Sequence, residues 1–288
     1  MLSNIEEPTL PFGLADVHLD NLNVSISHCI LSQELNERLR AQSKKFNVSV
    51  ACLCHLAWGR VLACISDQQQ VVFGTILVGR MQTGKRTDQT LGPFINTLPL
   101  RVDLSSSSVQ DSVRQIHANL AELLLHEHAP LVLAQGCSGV PAGAPLFNAL
   151  LNYRHTNSVS NRSNQICGIE LSYLPERTTY PLTMDVDDFG TALGLTSQNV
   201  DPFDSTRVNN YMQKTLQSIV EALENTPQMP VYQLEVLPMD ERELLLRSWN
   251  ETATPYPEHQ CIHQLFEDQA LRDPTAAALV YEDQTLTD

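Results

Sequence analysis

Apolar positions recur every three or four residues in several stretches of this chain and crowd into short continuous runs in others. Residues 32–45 (SQELNERLRAQSKK) set Leu35 and Leu39 one turn apart among charges, which predicts a surface helix with one buried stripe. After a turn at Asn47, Ser49 is placed to cap a second helix over residues 50–65. Val50, Leu53, Ala57, Val61 and Ile65 lie at helical spacing there, and the stretch is apolar on most sides, so a core helix is expected. Val109, Val113, Ile116, Leu120 and Leu124 mark a long amphipathic helix, and Val208, Met212, Leu216, Ile219 and Leu223 mark another, stopped by Pro227 and Pro230.

Strands are expected at residues 71–78, 94–102, 146–153, 168–174 and 181–187, with VDDFGTALGLT forming a hairpin that turns near Asp188 and Gly190. Helices and strands mix without strict alternation, so the expected class is α/β in the mixed α+β sense. Residues 5–23, with Pro8, Pro11 and Gly13, predict an extended connector. At the other end, Asp240 and Glu243 suggest a capping box for the helix ELLLRSW, and NETATPYPEH is a turn-rich linker. A helix at 262–271, a strand at 276–281 and a turn at Glu282-Asp283 follow. A strand that has just begun a sheet cannot bury itself, so the residues from about Cys261 are expected to open a further domain.

With 288 residues, 42% of them hydrophobic, the chain can fill a sizeable core. Its 33 acidic residues outnumber 18 basic ones, a net charge of −15, which argues against nucleic acid and anionic membranes as partners. Residues 1–20 carry no basic n-region and no long apolar stretch, so a cytoplasmic location is the expectation. The seven cysteines (Cys29, Cys52, Cys54, Cys64, Cys137, Cys167, Cys261) are odd in number and irregular in spacing, which fits buried free thiols better than disulfides.

Candidate chemistry is sparse. GRMQTGK, from Gly79 to Lys85, has the glycine and lysine spacing of a phosphate-binding loop. Arg86 stands where the metal-binding Ser or Thr is needed, and Asp88, Gly92 and Pro93 leave little room for the helix that would cradle phosphates, so nucleotide hydrolysis is not expected. Cys52, Cys54 and His55 suggest a metal superficially, but positions i and i+2 of a helix face different ways and no second ligand pair exists; packed thiols fit better. His126, Glu127 and His128 are open to two readings, a substrate-orienting or metal cluster and a polar helix terminus, and the second fits better. Neither a G-x-S-x-G elbow nor H-E-x-x-H occurs, no residue identifies itself as a nucleophile, and no metal ligand or bound cofactor is expected.

FGTILVGRM (residues 73–81), GPFINTLPLRV (92–102), HEHAPLVLAQ (126–135) and PLFNALLNYRH (145–155) together resemble the condensation domains of nonribosomal peptide synthetases, in that family's order. WNET, HQLFE at 263–267 and residues 274–281 are similar to the linker into a following adenylation domain. The resemblance implies one lobe of a two-lobed fold like that of chloramphenicol acetyltransferase. It divides the chain into an inter-lobe connector and first strand (1–30), a C-terminal condensation subdomain (31–228), a linker (229–260) and a truncated adenylation start (261–288). It also implies amide bond formation between thioesters carried on the phosphopantetheine arms of carrier proteins. The family's HHxxxDG motif belongs to the N-terminal half, and this sequence has no His-His pair. No catalytic residue and no activity of the chain alone are therefore expected. The implied partners are carrier-protein domains, the missing N-terminal half and the adenylation domain; a docking module without activity, or one half of a split enzyme, is the alternative. Asn96, Thr97, Asn152 and Arg80 are the candidates for polar groups that face the cleft and position a thioester carbonyl or a pantetheine amide. For Asn96 a bond to a neighbouring loop, and for Arg80 an ion pair between the halves, are the stronger readings.

Overall fold

Ser32 and Ser49 start the first two helices in the way their hydroxyls allow. Each accepts a hydrogen bond from the backbone three residues on, Leu35 N–H and Cys52 N–H. The computed structural model of the chain describes residues 2–13, 23–78, 94–141, 143–155 and 179–287. In chain order its elements are β1 (Val24–Ile30), α1 (Gln33–Phe46), α2 (Val50–Ser66), β2 (Gln70–Leu77), β3 (Asn96–Asp103), α3 (Val109–Leu125), α4 (Leu131–Gly136), β4 (Ala149–His155), β5 (Leu182–Asp188), β6 (Leu193–Val200), α5 (Ser205–Asn225), α6 (Met239–Leu246), α7 (Ile262–Arg272), β7 (Ala277–Tyr281) and β8 (Gln284–Thr287).

The first six strands form one sheet in the order β1-β6-β5-β4-β2-β3. β2, β4 and β5 run parallel in its middle, and the pairs β1/β6, β5/β6 and β2/β3 are antiparallel. One face is covered by α1, α2, α3 and α5, and α2 lies in the centre of that layer. Leu53, Leu56, Trp58 and Val61 of α2 are fully enclosed, which is why its sequence is apolar nearly all round. Burying each such side chain contributes about 1.5–3 kcal/mol.

The opposite face has a second apolar cluster of Val72, Leu146, Phe147 and Leu150, roofed by α4 and by Leu2 and Ile5. Residues 2–13 are thus a strap tied to the sheet. Ile5 O accepts from Gly139 N–H at 2.8 Å, Thr9 N–H donates to Leu146 O at 3.1 Å, and the Thr9 hydroxyl accepts from Val72 N–H at 2.8 Å. Phe12 stacks on Phe203 with ring centroids 4.1 Å apart.

Several expectations shift. The helix over residues 131–136 is not visible as a period in the sequence, being too short to show one. α6 begins at Met239, so Asp240 and Glu241 sit in its first turn, where they favour the helix dipole, and Asp240 is not the cap. The expected strand at 168–174 lies outside the described residues. Compactness divides the chain into Met1–Met239 and Asp240–Asp288. The second unit holds most of α6, then α7 and the β7/β8 hairpin; none of its described side chains is buried, and Phe266, Leu271, Val280 and Tyr281 are exposed. No single helix among the described residues is long and apolar enough to cross a membrane.

Candidate functional site

Sheet register brings a row of side chains onto the face turned away from the four helices. His28 of β1 lies opposite Thr196 of β6, which lies opposite Asp185 of β5, which lies beside Asn152 of β4. One residue beyond the Thr75/Leu151 partners, the row continues through Ile76 of β2 to Thr97 of β3. The His28 Nδ1 and the Thr196 hydroxyl are 2.9 Å apart, and Asn152 Nδ2 donates to Asp185 Oδ1 at 2.9 Å. Gln198 Nε2 reaches Asp185 Oδ2 at 3.4 Å. Asp185 is buried, Asn152, Thr196 and Thr97 are half-buried, and His28 is exposed, so the row deepens from the β1 edge toward the middle of the sheet.

Asn152 and Thr97, both singled out from sequence, fall in this row, whereas Asn96 does not. Its amide nitrogen donates to Glu127 O at 2.9 Å and Ala129 O at 2.8 Å, and its side-chain oxygen accepts from Thr97 N–H at 3.0 Å. Both amide hydrogens are committed to the loop after α3, so Asn96 corresponds to the loop-bonding alternative and offers no donor to a cleft. Arg80 and the whole GRMQTGK segment lie outside the described residues. His28, Thr196 and Asp185 were missed. Alternation in SISH and in LTMDVDD was the signal available, but it assigns residues to a face without saying what covers that face.

On the helix side, at the same end of the sheet as the start of β3, Asp188 anchors a second polar group. Arg40 Nη2 pairs with Asp188 Oδ1 at 2.6 Å, Gly190 N–H donates to Oδ1 at 2.9 Å, and the Tyr153 hydroxyl donates to Oδ2 at 2.7 Å. Burial pushes the Asp188 carboxyl up, and the bonds from Arg40, Tyr153 and Gly190 outweigh it and hold the group below the usual carboxylate range. Burial, with the nearby Cys54 and Asp188, raises Tyr153 far above the ordinary phenol value.

Cys52, Cys54 and His55 make no metal site, and no cluster of three metal-ligating side chains exists among the described residues. His55 is a satisfied core histidine. Its Nδ1–H donates to Ala51 O at 2.7 Å and its Nε2 accepts the Thr75 hydroxyl at 2.8 Å. Burial lowers its pKa to about 4, against a smaller upward effect of the Ala51 bond. The His126–Glu127–His128 cluster is the polar terminus of α3, with Glu127 buried and His128 Nε2 3.7 Å from its carboxylate.

A family model described as the condensation domain matches residues 6–246. The chain belongs to the condensation-domain family. This condensation chain is 56% identical over 287 residues to malpinin synthetase of Mortierella alpina, covering 100% of the chain and 4% of that protein. To malpibaldin synthetase of the same organism it is 51% identical over 287 residues, covering 100% of the chain and 5% of that protein. Bacitracin synthase 3 of Bacillus licheniformis is 27% identical over 268 residues, 89% of the chain and 4% of that protein. The chain therefore spans only a small fraction of the length of these curated relatives.

Solved structures match in fold. A holo four-domain nonribosomal peptide synthetase bound to AMP and glycine aligns with a TM-score of 0.70 at 16% identity, over 99% of this chain and 23% of that one. The condensation domain from the monacolin K polyketide synthase aligns with a TM-score of 0.59 at 17% identity, over 79% of this chain and 55% of that one. The X-domain from teicoplanin biosynthesis gives 0.63 at 17%, over 82% and 55%. The mixed α/β condensation fold expected from the sequence is thus the fold observed.

Proposed function

We propose that the chain is the C-terminal lobe of a nonribosomal peptide synthetase condensation domain, followed by a linker and the first residues of an adenylation domain. It forms one wall of the cleft in which two carrier-tethered thioesters are joined by an amide bond. The observation that carries this reading is the unequal coverage of the matched structures. Against a free-standing condensation domain the chain covers 55% of the partner and leaves about a fifth of itself over, whereas against a four-domain synthetase 99% of it aligns. That pattern fits a piece that starts inside one domain and runs into the next. The division between Met239 and Asp240, and the exposed Phe266, Leu271, Val280 and Tyr281 of the second unit, fit a segment whose packing partner is elsewhere.

In this reading the row His28–Thr196–Asp185–Asn152–Thr97 is the polar part of the wall. Asn152, its amide nitrogen held by Asp185, presents its side-chain oxygen as an acceptor for an N–H group, such as a pantetheine amide. Asn96 holds the loop after α3. The phosphopantetheine arms are substrate carried by partner domains. The general base comes from the N-terminal lobe, whose paired-histidine motif this sequence lacks.

Donor and acceptor carrier proteins loaded with aminoacyl thioesters, incubated with the chain alone, are expected to yield no dipeptide. Adding a separately expressed N-terminal lobe of the matching condensation domain is expected to restore it. Dipeptide from the chain alone would overturn the reading, and no dipeptide from a complex shown to form would do so as well.

A further inference from the structure

Asp185 orients two amides rather than one. Asn152 Nδ2 donates to its Oδ1 at 2.9 Å, and Gln198 Nε2 reaches its Oδ2 at 3.4 Å, the long end of a hydrogen bond. Gln198 lies two residues beyond Thr196 on the same face of β6, diagonally across from Asp185. A carboxylate offers acceptors only, so the nitrogen of each amide turns toward Asp185 and each side-chain oxygen turns away from it. Asn152 and Gln198 make no other side-chain hydrogen bond. Asp185 is 5% exposed, whereas the two amides are half-buried and neither oxygen is sealed from solvent. A buried carboxylate thus holds two outward-turned acceptors in place. Leu150, two residues before Asn152 on the same face of β4, belongs to the apolar cluster beneath the strap and gives the site a dry side, where hydrogen bonds are stronger.

The pair of oxygens restricts what can bind. A thioester carbonyl has no hydrogen to give them, and a pantetheine amide has one N–H and fills a single acceptor. A neutral primary amine has two N–H bonds and a lone pair. Two acceptors take both hydrogens and leave the lone pair uncommitted, which is the state of a nitrogen about to attack. The oxygens also turn the negative ends of their dipoles toward a nitrogen that becomes positive during attack.

We propose that Asn152 and Gln198 receive the α-amino group of the acceptor aminoacyl thioester, with Asp185 as the positioning residue that fixes both amides. The inference rests on the cleft reading above and names the substrate group that this part of the wall holds.

Two acceptors compared in the complex of the chain with its N-terminal lobe test it: an aminoacyl carrier protein and the 2-hydroxyacyl counterpart, in which one O–H replaces the two N–H bonds. Single-turnover rates are measured with the same donor. Gln198→Leu and Asn152→Leu are each expected to lower the ratio of amide to ester formation about tenfold, because the hydroxyl can use the acceptor that remains and the amine loses one. Asp185→Asn, which no longer dictates which way the two amides face, is expected to lower the ratio as well. Gln198→Met replaces Gln198→Leu if the latter fails to fold. A loosened fold slows both acceptors together, so an unchanged ratio in variants that keep the wild-type unfolding midpoint and bind the N-terminal lobe would overturn the proposal. Product from neither acceptor, with the unaltered chain in a complex shown to form, would instead overturn the cleft reading, and this inference with it.

Discussion

Asn96 and His55 are both polar side chains whose hydrogen bonds tie segments together, and their removal has different signatures. Asn96→Ala leaves Glu127 O and Ala129 O without their donor and is expected to lower stability by about 1–3 kcal/mol in urea unfolding. Asn96→Asp sets a carboxylate against the same two carbonyls and is expected to cost more. For His55 the folded-state pKa of about 4 lies below the unfolded value, so between roughly pH 6.5 and pH 4 the unfolded chain holds the extra proton. Stability is therefore expected to fall by about 3 kcal/mol as pH drops through that window. A His55→Gln variant is expected to show a flatter slope when unfolding midpoints are measured between pH 8 and pH 4.5. Asp188, whose pKa is lowered, contributes in the same direction, but its loss comes below the ordinary carboxylate value and so at a lower pH. Asp188→Asn, which strips the half-buried Arg40 of its buried partner, is expected to destabilise by roughly 3 kcal/mol.

Elements were legible where their sequence period was long enough to be seen. The cap Ser49, the four long helices, and the hairpin turning at Gly190 (φ 81°) stand where the pattern puts them. α4 was not legible, because six residues cannot display a period, and the polar row was not, because alternation assigns a face without naming its neighbours across the sheet. Gly74 shows how much the missing cross-strand information matters. A Cβ there would stand 2.3 Å from Leu150 Cδ2, 2.6 Å from Phe147 Cε2 and 2.8 Å from Thr97 Cγ2, so β2, β4 and β3 meet closely at a residue that reads in sequence as a weak point of a strand. Gly74→Ala is expected to destabilise by about 1–3 kcal/mol, softened by the flexible ends of those side chains, and Gly74→Val by more; thermal unfolding measures both.

At the scale of the molecule, the fold class and family were readable from four sequence blocks, whereas the way the two ends behave was not. The first end is expected from its prolines to be a connector, and the residues from about Cys261 to open a further domain. The second unit exposes Phe266, Leu271, Val280 and Tyr281, and Phe266→Asp or Tyr281→Asp is expected to leave the unfolding midpoint of the first unit unchanged when followed by Trp58 fluorescence. The first end does not fit. Proline-containing residues 2–13 pack against the sheet because Leu2 and Ile5 fill the gap over Val72 and Phe147 and Thr9 completes the pairing of Val72.

That strap has a practical meaning for anyone recombining synthetase modules. A crossover placed between Gly13 and Asn23 would swap Thr9, Ile5 and Leu2 for foreign residues while retaining the sheet they seal. The graft would then inherit an uncovered apolar hollow and an unmatched Val72 amide. A junction upstream of Leu2 keeps the strap with the sheet it closes.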